Sequence, residues 1–173
     1  TILSRWGFSK QGLFQNTKGE WYLFSQILLI ILHLIPPYPK IDNIGLSINI
    51  FIIVIGLLIT IQGLIIVIKA FLDLGDNLTP LPYPMKGSSF IKNNSYQNNR
   101  HPLYKGILFI SLGVCICSIS LVHLFLLISL ACILKIKAQK EEEKLKIKFS
   151  DYRSYIEEVP AIVEGIKYLD WRS

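Results

Sequence analysis

The sequence predicts an all-α integral membrane protein of about four transmembrane helices. They form two antiparallel hairpins, with a cytoplasmic loop and a C-terminal helical extension. Three observations carry this. First, residues 44–67 and 107–134 contain no Asp, Glu, Lys or Arg, and apolar runs of ~18 or more residues read as membrane spans. Second, a chain of 173 residues that is 51% hydrophobic with a mean hydropathy of +0.46 is too apolar for an ordinary soluble domain. Third, the basic residues are segregated. Arg5, Lys10 and Lys18 precede the apolar blocks, and the first connection holds only Lys40. The second connection holds Lys86, Lys92, Arg100 and Lys105, with Lys69 at its edge, and nine more lie at Lys135 or beyond.

Basic residues gather on the cytoplasmic side, so three simple spans would place the Lys-rich tail on the wrong face. The block 107–134 removes the conflict. As one helix its 28 residues would reach ~42 Å, against a hydrocarbon core of ~30 Å. The stretch "CSISLVH" (117–123) puts two serines and a histidine in its middle. A tight helical hairpin turning near 118–120 is therefore expected, with one tilted helix as the rival. The N-terminus, the Arg100 loop and the C-terminus all become cytoplasmic.

Each element follows in order. Residues 1–20 form an interfacial lead-in with Trp6, Phe8 and Phe14, and Trp21 and Tyr22 suit the headgroup belt. This start has no apolar centre, so no cleavable signal peptide is expected. Residues 21–72 make the first hairpin. Its first span, 22–35, is interrupted by Ser25, Gln26 and His33, and "IPPYPKIDN" (35–43) is a proline-stiffened turn. The unit 73–173 holds the loop, the second hairpin and the C-terminal helix. Gly75 stops the second span, and Pro80, Pro82 and Pro84 force an extended path toward Arg100. A connection this long is functional or disordered. Pro102 suits the first turn of the third span. The fourth continues as "KIKAQKEEEKLKIKF" (135–149), with Leu145, Phe149 and Tyr152 forming an apolar stripe at helical spacing.

Composition also narrows function. The formal charge of +6 is tied to membrane flanks, which suits anionic lipid and disfavours nucleic acid. Cys115, Cys117 and Cys132 lie in apolar surroundings, where cysteine acts as a small hydrophobe. No metal-ligand set is evident, and no metal is expected. His33 and His123 read as packing or interface residues. The Ile-, Lys- and Asn-rich composition points to an AT-rich bacterial genome.

Two polar knots remain. "NNRHPLYKG" (98–106) places Arg100 and His101 just before a helix start and Tyr104 one turn on. It reads as a snorkelling basic anchor, or as a corner of backbone N–H groups, arginine and histidine that suits a carboxylate. "KAQKEEEKL" (137–145) reads as a solvated helix laced by ion pairs such as Glu142–Lys146, each worth ~0.2–0.5 kcal/mol. The hairpin adds a further reading, because it brings both knots to one face of the membrane. An anion-binding corner facing a carboxylate pair suits a ligand carrying a carboxylate, an ammonium and a ribose diol.

Taken in order, "LGDNLTPLP" (74–82), "FIKNNSYQNNRHPLYKG" (90–106), "EEEKLKIKF" (141–149) and "YRSYIEEVP" (152–160) resemble the isoprenylcysteine carboxyl methyltransferase family. Phospholipid methyltransferases are its more distant relatives. The resemblance covers about residues 70–160. It implies an integral-membrane enzyme using S-adenosylmethionine, with no metal. It further implies cofactor contacts from Tyr96, His101, Pro102, Leu103, Tyr104 and Glu141, with Glu142 as neighbour or second contact. The sequence departs from the family at Asn94, which replaces a glycine, and at Lys137, which replaces an arginine. Asparagine tolerates positive φ, so the turn survives. Lysine keeps the charge and loses the planar grip, which weakens the case for a prenylcysteine substrate.

No catalytic residue is assigned. A sulfonium methyl is already electrophilic, so the protein chiefly aligns donor and acceptor and excludes water. The expected acceptor is a lipophilic small molecule in contact with membrane lipids, and Lys137 or Arg100 would hold its anionic group. Two rival readings stand: an NADPH-dependent membrane reductase resembling sterol reductases, and a small non-catalytic membrane protein.

Overall fold

The computed structural model describes residues 16, 18–39, 45–84 and 87–172. Among them the elements are helical: α1 (Glu20–Leu32), α2 (Leu46–Leu74), α3 (Ser95–Asn98), α4 (Pro102–Ser118), α5 (Leu121–Lys148) and α6 (Tyr152–Glu158). A 3-10 turn, Gly75–Asn77, follows α2. Most of the N-terminal lead-in, with Trp6, Phe8 and Phe14, lies outside the described residues, as does part of the 35–43 turn.

α2 and α5 are long and apolar enough to cross a membrane. Only 11% of the apolar window of α2 is buried, and Ile50, Phe51, Leu57, Leu58 and Phe71 point outward. A core helix of a soluble protein hides such residues, whereas a lipid-facing helix displays them. α1 and α4 are apolar but shorter, at 13 and 17 residues. This is an all-α membrane protein.

The block 107–134 does fold back on itself. Ile119 sits at φ 45°, ψ 51° between α4 and α5, and its N–H closes on the Cys115 carbonyl. A β-branched residue enters this region only at a cost, so surrounding contacts must hold the turn. Ser120 supplies them: its Oγ accepts the Tyr38 N–H at 2.9 Å and donates to the Tyr38 carbonyl at 2.8 Å. The turn after α1 and the α4–α5 turn therefore meet at one end of the bundle. At the other end, a methyl group added to Gly19 would strike Pro82 Cγ at 2.6 Å, so α1 starts against the loop that follows α2.

The first hairpin is an open one. α1 packs on α5, and α2 packs on α4. The α2–α4 seam is made by glycines on both helices. A methyl at Gly113 would sit 2.5 Å from the Gly56 carbonyl oxygen, and one at Gly63 would sit 2.8 Å from that of Gly106. Such small residues let helix backbones approach closely in lipid, where apolar burial offers little drive. The main core joins Tyr104 and Leu108 of α4, Leu130, Leu134 and Ala138 of α5, and Ala161, Ile162 and Leu169 of the C-terminal segment.

One expectation is corrected here. The helical extension does not run through the whole Leu145–Phe149–Tyr152 stripe. α5 ends at Lys148, Phe149 is extended (φ −126°, ψ 117°), and Tyr152 opens α6. The three residues still converge, because Phe90 packs against Phe149, Tyr152 and Tyr155 at ring-centroid distances of 5.6, 5.4 and 5.2 Å.

Candidate functional site

Gly75 caps α2 at φ 50°, and the chain bends through 80–83, in place of the expected extended path, before a positive-φ turn at Asn94. Asn94 takes φ 55°, so asparagine does sustain the positive-φ turn. Its Nδ2 donates to Asp73 Oδ1 at 3.1 Å, and the Ser95 N–H donates to Asp73 Oδ2 at 3.0 Å. This pair ties the start of α3 to the end of α2 and delivers Tyr96 inward. The Tyr155 hydroxyl donates to the Tyr96 carbonyl. Burial, reinforced by the Glu141 carboxylate, holds the Tyr96 phenol well above its usual range. Burial likewise raises Tyr152 and Tyr155. All three remain neutral phenols, and the Tyr155 O–H is already donated to the Tyr96 carbonyl.

Pro102 opens α4 as expected, and His101 stacks on Tyr104 at 5.3 Å with an interplanar angle of 7°. The carboxylate corner is altered from the sequence expectation. The N–H groups of Arg100 and His101 are engaged by the carbonyls of Pro160 and Ala161, each at 2.9 Å. Only their side chains can face a ligand. Leu103 is partly buried beside them.

The two knots meet. Arg100 Nε donates to Glu142 Oε1 at 2.7 Å, and His101 Nε2 lies 3.0 Å from the same oxygen. The Tyr104 hydroxyl donates to Glu141 Oε2 at 3.0 Å. The adjacent glutamates nevertheless do different work, since successive residues of an α-helix point about 100° apart. Glu141 is partly exposed and lines the voids described next. Glu142 is 2% exposed and lines neither; both of its oxygens are taken by neighbours.

Two voids share Leu74, Thr79, Tyr96, Arg100, His101 and Glu141 in their linings, and the last four make the polar wall where they meet. One, ≈ 600 Å³ with its mouth included, is bounded by Asn77, Ser89, Phe90, Phe149, Tyr152 and Tyr155. The other, ≈ 890 Å³ on the same measure, reaches between Leu23 and Gln26 of α1 and Phe71 and Leu74 of α2. Tyr104 and Lys137 line its inner part. Without their open mouths the two hold ≈ 80 and ≈ 310 Å³, so only the larger reaches the ~300–1,000 Å³ typical of enclosed small-molecule sites. Arg100 Nη2 is buried without a hydrogen-bond partner among the described residues. Its Nη1 is held by the Ile156 and Val159 carbonyls at 2.7 and 2.6 Å. A fixed guanidinium with both Nη2 N–H groups free suits an anion.

Lys137 is 2% exposed and donates from Nζ to Gln26 Oε1 at 2.7 Å. Among the described residues no carboxylate pairs with it. The sequence reading missed Gln26, Asp73 and Phe90 at this site, and it missed Trp171, whose Nε1–H donates to Glu142 Oε2 at 2.7 Å. His33 and His123 lie toward the opposite end. His33 Nε2 meets Ser111 Oγ at 2.6 Å, and His123 Nε2 approaches the His33 carbonyl at 3.3 Å.

The family model described as phospholipid methyltransferase matches residues 51–151. That stretch takes in most of α2, all of α3 to α5 and every side chain of the wall between the voids. No curated protein matches the chain.

Proposed function

The chain belongs to the phospholipid methyltransferase family, and from that premise we propose that it transfers a methyl group from S-adenosylmethionine to a lipophilic acceptor drawn from the bilayer. It is a membrane methyltransferase, of a family that generally uses this cofactor. The observation that most supports the reading is the pair of voids meeting at one wall.

Bound S-adenosylmethionine supplies a sulfonium-linked methyl group that a nucleophile can take directly. The smaller void offers what its other parts require. The free Nη2 donor of Arg100 suits the amino-acid carboxylate, and the Glu141 carboxylate suits the ammonium or a ribose diol. The aromatic side chains of Phe90 and Tyr152 suit a purine. Tyr96, His101 and the first turn of α4, Pro102 to Tyr104, form the shared edge. These residues orient and exclude water, and no acid–base group is required of them.

The larger void suits the acceptor. α1 and α2 pack on different partners and leave it bordered by Leu23, Phe71, Leu74 and Leu103. A lipid-soluble molecule enters between them, and its reactive atom meets the wall at the membrane boundary. Lys137, with no carboxylate partner, holds an anionic group on that acceptor. The end bearing the wall faces the cytoplasm, where the cofactor is made. An isoprenylcysteine carboxyl group is one acceptor of this kind and a phospholipid headgroup is another.

The test is ligand-dependent melting of the detergent-solubilised protein, followed by transfer of labelled methyl to extracted lipids. Stabilisation by S-adenosylhomocysteine together with labelled lipid product is expected. Stabilisation by NADPH in its place, or by neither ligand, would overturn the proposal.

A further inference from the structure

The family match ends at residue 151, yet the wall between the voids is held from behind by residues 156–171. Asn99 Nδ2 donates to the Ile162 carbonyl at 3.2 Å. The N–H groups of Arg100 and His101 reach Pro160 and Ala161. Arg100 Nη1 reaches Ile156 and Val159. The segment is itself folded: the Ile162 N–H meets the Leu169 carbonyl at 3.0 Å, and Asp170 Oδ1 accepts the Ala161 N–H at 3.3 Å. Ala161 and Ile162 are fully buried. Its last ring is Trp171. The guanidinium carbon of Arg100 lies 5.7 Å from the Trp171 ring centre, and the His101 ring lies 6.2 Å from it. The Trp171 indole N–H points at Glu142 Oε2.

We propose that Trp171 is a positioning residue of the site: its N–H fixes the Glu142 carboxylate, which in turn fixes Arg100 and His101 at the wall. The chemistry follows from the hydrogen-bond inventory. Among the described residues, Glu142 Oε1 receives two donors, and Oε2 receives only Trp171 as a side-chain donor. Without that third donor the carboxylate is free to rotate about its last bond and divide its oxygens differently between Arg100 and His101. The Ile156 and Val159 carbonyls would still hold Arg100 Nη1, so the shift falls on Arg100 Nε, Nη2 and the His101 ring. The charged and titratable groups facing His101 are Glu142 and Glu141 of α5, its neighbour Arg100, Tyr104 of α4 and Tyr96 of α3. Trp171 adds only a donor and a ring. Such outer partners set the geometry of the groups they hold and are felt in affinity.

The proposal rests on the reading of this wall as the cofactor site, so one readout is chosen that needs no cofactor. Trp171→Phe keeps a ring and removes the N–H; Trp171→His keeps a smaller ring with an N–H. Ring-nitrogen signals of ¹⁵N-labelled histidine are recorded for both, with Glu142→Gln as the yardstick. The Phe variant is expected to move the His101 signals as Glu142→Gln does, and to leave those of His33 and His123 in place. The His variant is expected to stay near wild type. S-adenosylhomocysteine affinity should fall about tenfold in the Phe variant alone, the size of one hydrogen bond to a charged group. Wild-type His101 signals and affinity in the Phe variant would overturn the proposal. So would equal losses of melting temperature and affinity in both variants, which mark packing alone. Failure of wild-type protein to bind S-adenosylhomocysteine would defeat the proposed function, and the His101 signals would still decide the role of Trp171.

Discussion

Glu142 Oε1 lies 2.7 Å from Arg100 Nε across 42 residues of sequence and a whole helical hairpin. Both side chains are nearly inaccessible, at 0% for Arg100 and 3% for Glu142. A buried pair is a poor source of net stability, but removing one partner strands the other. Glu142→Ala is therefore expected to cost on the order of 3–5 kcal/mol, read as a lower melting temperature in detergent. Glu142→Gln should cost less. A neutral result for Glu142→Ala would mean that the two knots do not meet.

Glu141 and Glu143 flank Glu142 but face different surroundings. Glu141 lines both voids, whereas Glu143 borders an outer cleft with Lys140 and Lys144. Glu141→Ala should weaken S-adenosylhomocysteine binding by about tenfold or more, the scale of a lost charged hydrogen bond. Glu143→Ala should leave it nearly unchanged. Calorimetric titration of the two variants separates them, and equal small effects would return the acidic run to a solvated helix face.

Lys137 borders the void assigned to the acceptor and lies outside the residues lining the other void. Lys137→Met should raise the KM for an anionic acceptor while leaving cofactor binding close to wild type. Steady-state kinetics with each substrate varied in turn will show the split. A parallel loss of cofactor affinity would place the lysine on the wrong side of the wall.

The α2–α4 seam tolerates no bulk. Gly113→Leu drives a side chain into the Gly56 carbonyl and should cost at least the ~1–3 kcal/mol typical of overpacking. Gly45, whose added methyl would meet nothing within 4 Å, is the control, and Gly45→Ala should melt with the wild type. Matching melting temperatures for both variants would remove the seam.

Topology can be read chemically. With Cys115, Cys117 and Cys132 replaced by serine, single cysteines at Asn94 and Glu164 should react with an impermeant reagent from the same side of sealed vesicles. One at Leu121 should react from the other. Labelling of Asn94 and Glu164 from opposite sides would exclude a shared site.

Much of this arrangement was legible in the residues. Serines inside an overlong apolar run located the Ile119 turn, and proline after Arg-His located the start of α4. Other features had no one-dimensional signal. Which of Glu141 and Glu142 faces the void depends on the rotational register of α5 against α4, and adjacent positions look alike in sequence. Trp171 sits in a polar tail without periodicity, so nothing in its neighbours marks its target 29 residues away. The backbone corner at Arg100 and His101 was misread because an unpaired N–H looks available until another segment supplies a carbonyl. The glycines of the seam were visible at matching seven-residue spacings, yet only the packed helices reveal which pairs oppose each other.

The double hydrogen bond between Ser120 and Tyr38 has a mechanical consequence. It ties the turn after α1 to the α4–α5 turn, so the end of the bundle remote from the wall cannot splay while both bonds hold. On the proposed function, a hydrophobic guest would therefore enter at the other end, where α1 and α2 pack on different partners and Leu23 and Phe71 line the larger void.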